Sequence, residues 1–209
     1  MPTVDEPRDI PFLFVGNQAC LDFINTKPMI DGQPVDLLAT FSDLLAWLRQ
    51  AHLLPGEESV KKLERQWAGE AKTQQILEQA RTFRGTLREM VERVAAGRPV
   101  PNGAVEAINE LLRHRLGHPQ LTRRKETFGC EFLMESEDAH QLLGLLAETA
   151  SDLLCRCDFS LIKKCQNPAC VLFFYDTTKN HARHWCSMSL CGNRSKVAAH
   201  YHRHRANKR

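Results

Sequence analysis

Long apolar runs are missing from these 209 residues. The longest unbroken ones, such as LLGLLA at Leu142 to Ala147, fall far short of the roughly 20 residues that cross a bilayer, so no membrane-spanning helix is expected. The N-terminal MPTVDEPRDI places acids before its first Arg and has no apolar centre, so it does not read as a signal peptide. Neither internal repeats nor low-complexity tracts occur. With 43% hydrophobic and 25% charged residues, wholesale disorder has no compositional basis. Such a length makes one large domain or two small ones with a real core. The expected setting is the cytoplasm, with reduced thiols.

Acids are scarce at one end. From Arg156 to Arg209 there are 11 Lys/Arg against only Asp158 and Asp176, whereas the rest of the chain has 17 against 23. An acidic body joined to a basic end implies that this end meets a polyanion, with nucleic acid the first candidate.

Helical periodicity dominates the body. IPFLFVGNQACLDFINT (10–26) reads as an extended entry followed by a short helix ending near Asn25, and DGQP at Asp31 to Pro34 as a turn. Phe41, Leu44, Leu45, Leu48 and Leu53 recur at helical spacing behind Thr40 or Ser42 as N-cap, and Pro55-Gly56 closes that helix. A long helical stretch from about Glu57 to Ala96 carries the stripe Leu63, Trp67, Ile76, Leu77, Ala80, Phe83, Leu87, Met90, Val91 and Val94. GRPVPNG breaks the chain, AVEAINELLRHRL resumes it, and GHP stops it again. LTRRKETFGCEFLMES, with FG at its centre, suits a two-stranded hairpin. The strongest helix is EDAHQLLGLLAETASDLLCRC, with Leu142, Leu145, Leu146, Thr149, Leu153 and Leu154 inside. The predicted class is mainly α with minor β (α+β): a helical domain over 1–158 and a small treble-clef or zinc-ribbon-like module over 159–209.

Six of the eight cysteines crowd into the 37 residues from Cys155 to Cys191. In a reducing compartment that clustering reads as a metal site before it reads as disulfides. Cys165-x4-Cys170 and Cys186-x4-Cys191 form two symmetrical pairs, and four thiolates in a tetrahedron are what Zn²⁺ takes. VLFFYD is a good strand after the first pair, and HARHWC returns toward the second. Four thiolates leave no open position, so the site is structural, and zinc supplies much of the module's folding free energy. Cys155 and Cys157 are competing ligands, whereas Cys20 and Cys130 read as small buried hydrophobes. Beyond the last thiolate, residues 192–209 hold six Lys/Arg, three His and no acid. On a helix Val197, Ala198 and Tyr201 seat it against the module, and Arg194, Lys196, His200, Arg203, His204 and Arg205 are left for phosphate contact. Asp176 and Asn180 are candidates to brace the turn between the pairs. Trp185 is expected beside the metal. Arg183 and Arg194 either pair with Asp176 or face phosphate.

CQNPACVLFFYDTTKNHARHWCSMSLCGNRSK resembles the CGNR zinc finger in Cys165/Cys170, Phe174-x-Asp176, Thr178-Lys179-Asn180, Arg183, Trp185-Cys186-Ser187, Cys191-Gly192-Asn193-Arg194 and Lys196. FLFVGNQACLDFINT, above all Leu21-Asp22-Phe23-x-Asn25-Thr26, resembles the start of the ABATE domain that precedes this finger. The resemblance implies a bacterial stress-induced transcription regulator whose N-terminal domain senses a small-molecule ligand. It also implies that Cys165, Cys170, Cys186 and Cys191 bind zinc and that the finger contacts double-stranded DNA. Candidate DNA-contact residues are Arg183, Arg194, Lys196, His200, Arg203 and Arg205. An RNA- or protein-binding module is the next reading. A metal-dependent nuclease built on His181, His184, Asn193, His200, His202 and His204 ranks last, because no carboxylate accompanies them. No enzyme activity is expected.

Overall fold

The computed structural model describes residues 10–54, 63, 65, 67, 70–134 and 138–197. Five helices make up most of it: α1 (Ala19–Ile24), α2 (Phe41–Gln50), α3 (Glu70–Ala95), α4 (Asn102–Leu112) and α5 (Gln141–Arg156). Three two-stranded antiparallel sheets complete it: β1 (Met29–Ile30) with β2 (Gln33–Pro34), β3 (Gly117–Arg124) with β4 (Thr127–Met134), and β5 (Ile162–Lys164) with β6 (Phe173–Tyr175). The protein is mainly α with minor β.

Local chemistry explains the helix boundaries. Thr40 caps α2 in a full capping box, its hydroxyl accepting from the Asp43 N–H while the Asp43 carboxylate takes the Thr40 N–H. Every member of the expected stripe from Leu63 to Val94 is buried, and α3 forms the spine against which α1, α2, α4 and α5 pack. Leu154, expected inside α5, is only partly buried. Pro55-Gly56, expected to close α2, lies outside the described residues. The β3–β4 hairpin departs more from expectation. Its turn sits at Lys125-Glu126, with Lys125 at φ +45°, not at Phe128-Gly129, and GHP forms the first residues of β3. Cys130 on that hairpin is exposed, against its reading as a buried hydrophobe, whereas Cys20 is fully buried.

The motif Leu21-Asp22-Phe23-Ile24-Asn25-Thr26 makes a separate contact at each position. Leu21, Phe23 and Ile24 are 0% exposed in the core. Asp22 turns back to accept the Gly16 N–H at 2.7 Å. A Cβ on Gly16 would stand 2.8 Å from Leu21 Cβ and 3.0 Å from the Asp22 backbone nitrogen, so glycine alone fits there. Thr26 accepts from Arg84, a buried guanidinium that also forks onto Asp36. Asn25 reaches across 148 positions of sequence: its amide donates to the Phe173 carbonyl at 2.8 Å and accepts the Phe173 N–H at 3.0 Å. Gly16 and Asn17 lie alongside the same strand, through Tyr175 N–H to Gly16 O at 2.8 Å and Asn17 Nδ2 to Tyr175 O at 3.0 Å.

β6 is therefore a wall between two cores. Successive side chains of a strand point to opposite faces. Phe173 joins the main core with Ile162, and Phe174 joins a second cluster with Cys165, Leu172, Cys186 and Cys191, flanked by Leu13 and Val15. Arg88 of α3 strengthens the seam, donating to Val171 O at 2.7 Å and lying over the Phe173 ring.

Two outcomes follow. Asn25→Ala leaves both backbone groups of Phe173 buried without partners, which costs about 2 to 5 kcal/mol in urea unfolding and speeds exchange of the Phe173 amide. Burial pushes the Asp22 carboxyl up to about 6, against bonds from the Gly16 and Val15 N–H groups and the charge of Arg183. A raised acid contributes stability that is full below its unfolded value and lost as pH rises through the folded one. Between pH 5 and 8 the wild-type chain therefore loses about 1 kcal/mol relative to Asp22→Asn, mostly near pH 6, in paired urea titrations.

Candidate metal centre

The first cysteine pair belongs to the β5–β6 hairpin. Ile162, Lys163 and Lys164 pair with Tyr175, Phe174 and Phe173, and the Cys165 N–H extends the ladder to Leu172 O at 2.9 Å. Inside this hairpin Asn167 shapes the knuckle: its side chain accepts the Ala169 N–H at 3.0 Å and its carbonyl accepts the Cys170 N–H at 2.8 Å. VLFFYD is a strand as expected, but it pairs upstream with β5. HARHWC, expected to return toward the second pair, does so as bends and irregular chain.

The second pair is held without any strand. Ser187 caps a single π-helical turn, Met188–Gly192, its hydroxyl accepting the Leu190 N–H at 3.0 Å. The Gly192 N–H reaches back five residues to Ser187 O at 3.0 Å, and this wider turn aims Cys191 inward. Helix continues over 193–197. The edge of the Trp185 ring and Met188 close over Gly192, which places Trp185 beside the cysteines as expected.

The four Sγ atoms of Cys165, Cys170, Cys186 and Cys191 all lie within 4.8 Å of one another. Cys170 and Cys186 are 3.8 Å apart, and a Zn–S bond of about 2.3 Å in a tetrahedron gives an S–S edge of about 3.8 Å. Cys165, Cys186 and Cys191 are buried, and Cys170 is half-buried. The hydrogen bond from the Cys186 thiol pushes Cys170 down to about 5, the same bond and burial push Cys186 well up, and burial pushes Cys191 up to about 11. Sulfurs packed this tightly cannot all carry charge unless a cation sits among them, and a soft divalent ion fits that donor set. The centre binds zinc. Cys155 and Cys157 lie at the end of α5, exposed and half-buried, outside the cluster.

Asp176 holds the loop between the pairs. Its carboxylate is fully buried and accepts from Lys163 Nζ at 2.7 Å, the Thr178 N–H and hydroxyl at 3.0 and 2.6 Å, and the Arg183 N–H at 2.9 Å. Burial works to raise its pKa, but these donors, Lys163 foremost, keep it well below the carboxylate range. Asn180 is exposed, and the bracing expected of it falls to Asp176. Lys163 was not foreseen, because its partner stands 13 positions away. Arg183 turns inward. Its guanidinium donates to Trp185 O at 2.9 Å, Val15 O at 2.8 Å and Cys186 O, and covers the Phe174 ring at 4.1 Å. It thus links the second knuckle to the N-terminal segment, half-buried at the cavity lined by Trp185 and Met188, and its side chain does not pair with Asp176.

The outer surface is basic. Arg194 and Lys196 are exposed on the terminal helix, and Lys179 and His184 are exposed on the loop before it. That loop frames a shallow cavity of about 560 Å³ lined by Lys179, His184, Trp185, Ser187 and Met188 among others. Val197, expected to seat the helix, is 54% exposed, and Ala198, His200, Tyr201, Arg203, His204 and Arg205 lie outside the described residues.

Comparison with protein-family models gives two matches. Residues 17–156 match the ABATE family, described as "Putative stress-induced transcription regulator", and residues 162–204 match the CGNR zinc finger. Curated proteins give no match. Among the described residues no helix is long and apolar enough to cross a membrane.

Because β6 is shared by both cores, zinc removal is not a local event. A strong chelator lowers the midpoint of one common thermal transition, followed by circular dichroism, and does not melt a separate finger ahead of the body. Cys191→Ser reduces bound zinc from one per chain to a small fraction, quantified by mass spectrometry under native conditions.

Proposed function

Because the chain belongs to the ABATE family and carries a CGNR zinc finger behind that domain, we propose that it is a zinc-dependent regulator of transcription whose finger binds double-stranded DNA. Cys165, Cys170, Cys186 and Cys191 are the zinc ligands in this reading, with 1–158 as the input domain and 159–209 as the DNA-binding module. The observation that carries it is the exposed basic run of Lys179, His184, Arg194 and Lys196 beside a metal-braced helix start. A rigid N-terminus lets the helix meet phosphates without first being ordered, and His200, Arg203 and Arg205, which follow in the sequence, are proposed as further contacts.

Arg183 takes a structural part here, since its guanidinium already satisfies three carbonyls. The input domain is proposed to sense a small ligand. A shift of α1 would reach the finger directly through Asn25 and Phe173. Zinc is structural, with no ligand position left for substrate, and plasmid incubated with the protein and Mg²⁺ is expected to stay intact.

The test is equilibrium binding of zinc-loaded protein to pooled genomic duplex fragments across salt concentrations. Affinity is expected to fall linearly on a double-logarithmic plot, and Arg194→Ala and Lys196→Ala each lower the slope by about 1. Absence of any salt-sensitive duplex binding removes the proposal. Stronger binding to single-stranded RNA at equal salt replaces it with the RNA-binding reading.

A further inference from the structure

The loop that ends at the second knuckle wraps a cavity whose wall and rim differ in character. The wall is mostly apolar, with the Trp185 ring, the Met188 thioether and the Ala182 methyl on it. Trp185 is fixed there from two sides. Its carbonyl accepts from Arg183 Nε at 2.9 Å, and its ring edge lies over Gly192, where an added Cβ would stand 3.1 Å from Cδ1. The half-buried indole and the 47% exposed Met188 thus form an apolar surface held open to solvent by a braced loop. Lys179 and His184 are exposed at the same cavity, and Arg183 adds a guanidinium whose charge its carbonyl partners do not cancel. No acid lines it, and none follows Asp176 in the sequence. A volume of about 560 Å³ lies within the roughly 300–1,000 Å³ of small-molecule pockets.

Resting on the duplex-binding reading above, we propose that this cavity takes one unstacked nucleotide of the bound DNA, its base on the Trp185 ring and Met188 and its phosphate at Lys179 and His184. Complementarity selects the occupant. A cationic rim over an aromatic floor suits a planar apolar group that carries negative charge, and a nucleotide is both. An organic cation is repelled by the three basic groups, and an acidic peptide leaves the aromatic floor uncovered. The cavity is too shallow to enclose a free nucleotide, since small-ligand sites cover about 70–90% of what they bind. A strand makes up the difference, because Arg194 and Lys196 stand exposed on the helix that leaves the same knuckle, placed to meet its other phosphates. Only a base out of the stack offers its face, and such bases stack on aromatic side chains with little regard to sequence.

Equilibrium titrations of the zinc-loaded full chain, with a duplex carrying one bulged thymidine and with the same duplex fully paired, test this. At equal salt the bulged duplex is expected to bind about tenfold tighter. It alone is expected to quench tryptophan emission, because Trp47 and Trp67, at 1% and 6% exposed, are out of reach of a base. Ala182→Leu fills the cavity from an exposed position without changing charge. It is expected to bring the two duplexes to one affinity and abolish the quench, while zinc content and the salt slope on the paired duplex stay as in the wild type. Equal wild-type affinity for the two duplexes, with salt-sensitive binding to both, overturns the proposal and leaves duplex binding standing. A preference for the bulge that survives Ala182→Leu also overturns it. Free thymidine monophosphate that quenches as tightly as the bulged duplex overturns the strand as the source. Absence of salt-sensitive binding to either duplex removes the duplex-binding reading and this site with it.

Discussion

Two hydrogen bonds from one asparagine hold the halves of this protein together. Asn25 occupies the position at which another strand would otherwise pair with β6, and it satisfies both backbone groups of Phe173. A buried strand edge cannot be left open, because each unpaired amide or carbonyl costs more than a made bond returns. Once that edge is closed, Phe173 is fixed toward the helices and Phe174 toward the sulfurs. The helical core and the metal centre then share a single wall, so neither can rearrange without the other.

Around the sulfurs, order is imposed with little regular structure. The residues from Thr177 to Ser187 contain neither helix nor strand. A buried carboxylate surrounded by donors and an arginine bonded to carbonyls replace the missing ladder. Asp176 gathers the loop from inside, and Arg183 fastens its exit to Val15 and Cys186. Both act on main-chain atoms, which fixes the backbone whatever side chains the surface carries.

Much of this was legible in the residues. Helical periodicity identified the stripe on α3 because that helix buries one continuous face. The two x4 cysteine pairs pointed to the four sulfurs that cluster because metal spacing is a local signal. Less legible was everything that depends on distant pairing. Thr40 announced its cap within four residues, whereas Lys163 and Asp176, or Asn25 and Phe173, meet only after the chain has folded. The partner of β6 was not legible for the same reason: the three residues before the first knuckle are the ones placed beside it. The hairpin turn went to Lys125-Glu126 because the strands are long enough to pair fully only when they meet there.

Asn17 and Tyr175 are 158 positions apart and bond to one another. During synthesis at about 5 to 20 residues per second, the segment around Gly16 waits roughly 8 to 30 s for the strand it lies against. For that interval α1 exists with its carboxamide unfilled and its apolar neighbours facing no wall. The module synthesised later is thus the one that completes the earlier one, and a chain truncated before β6 lacks a side of its own core.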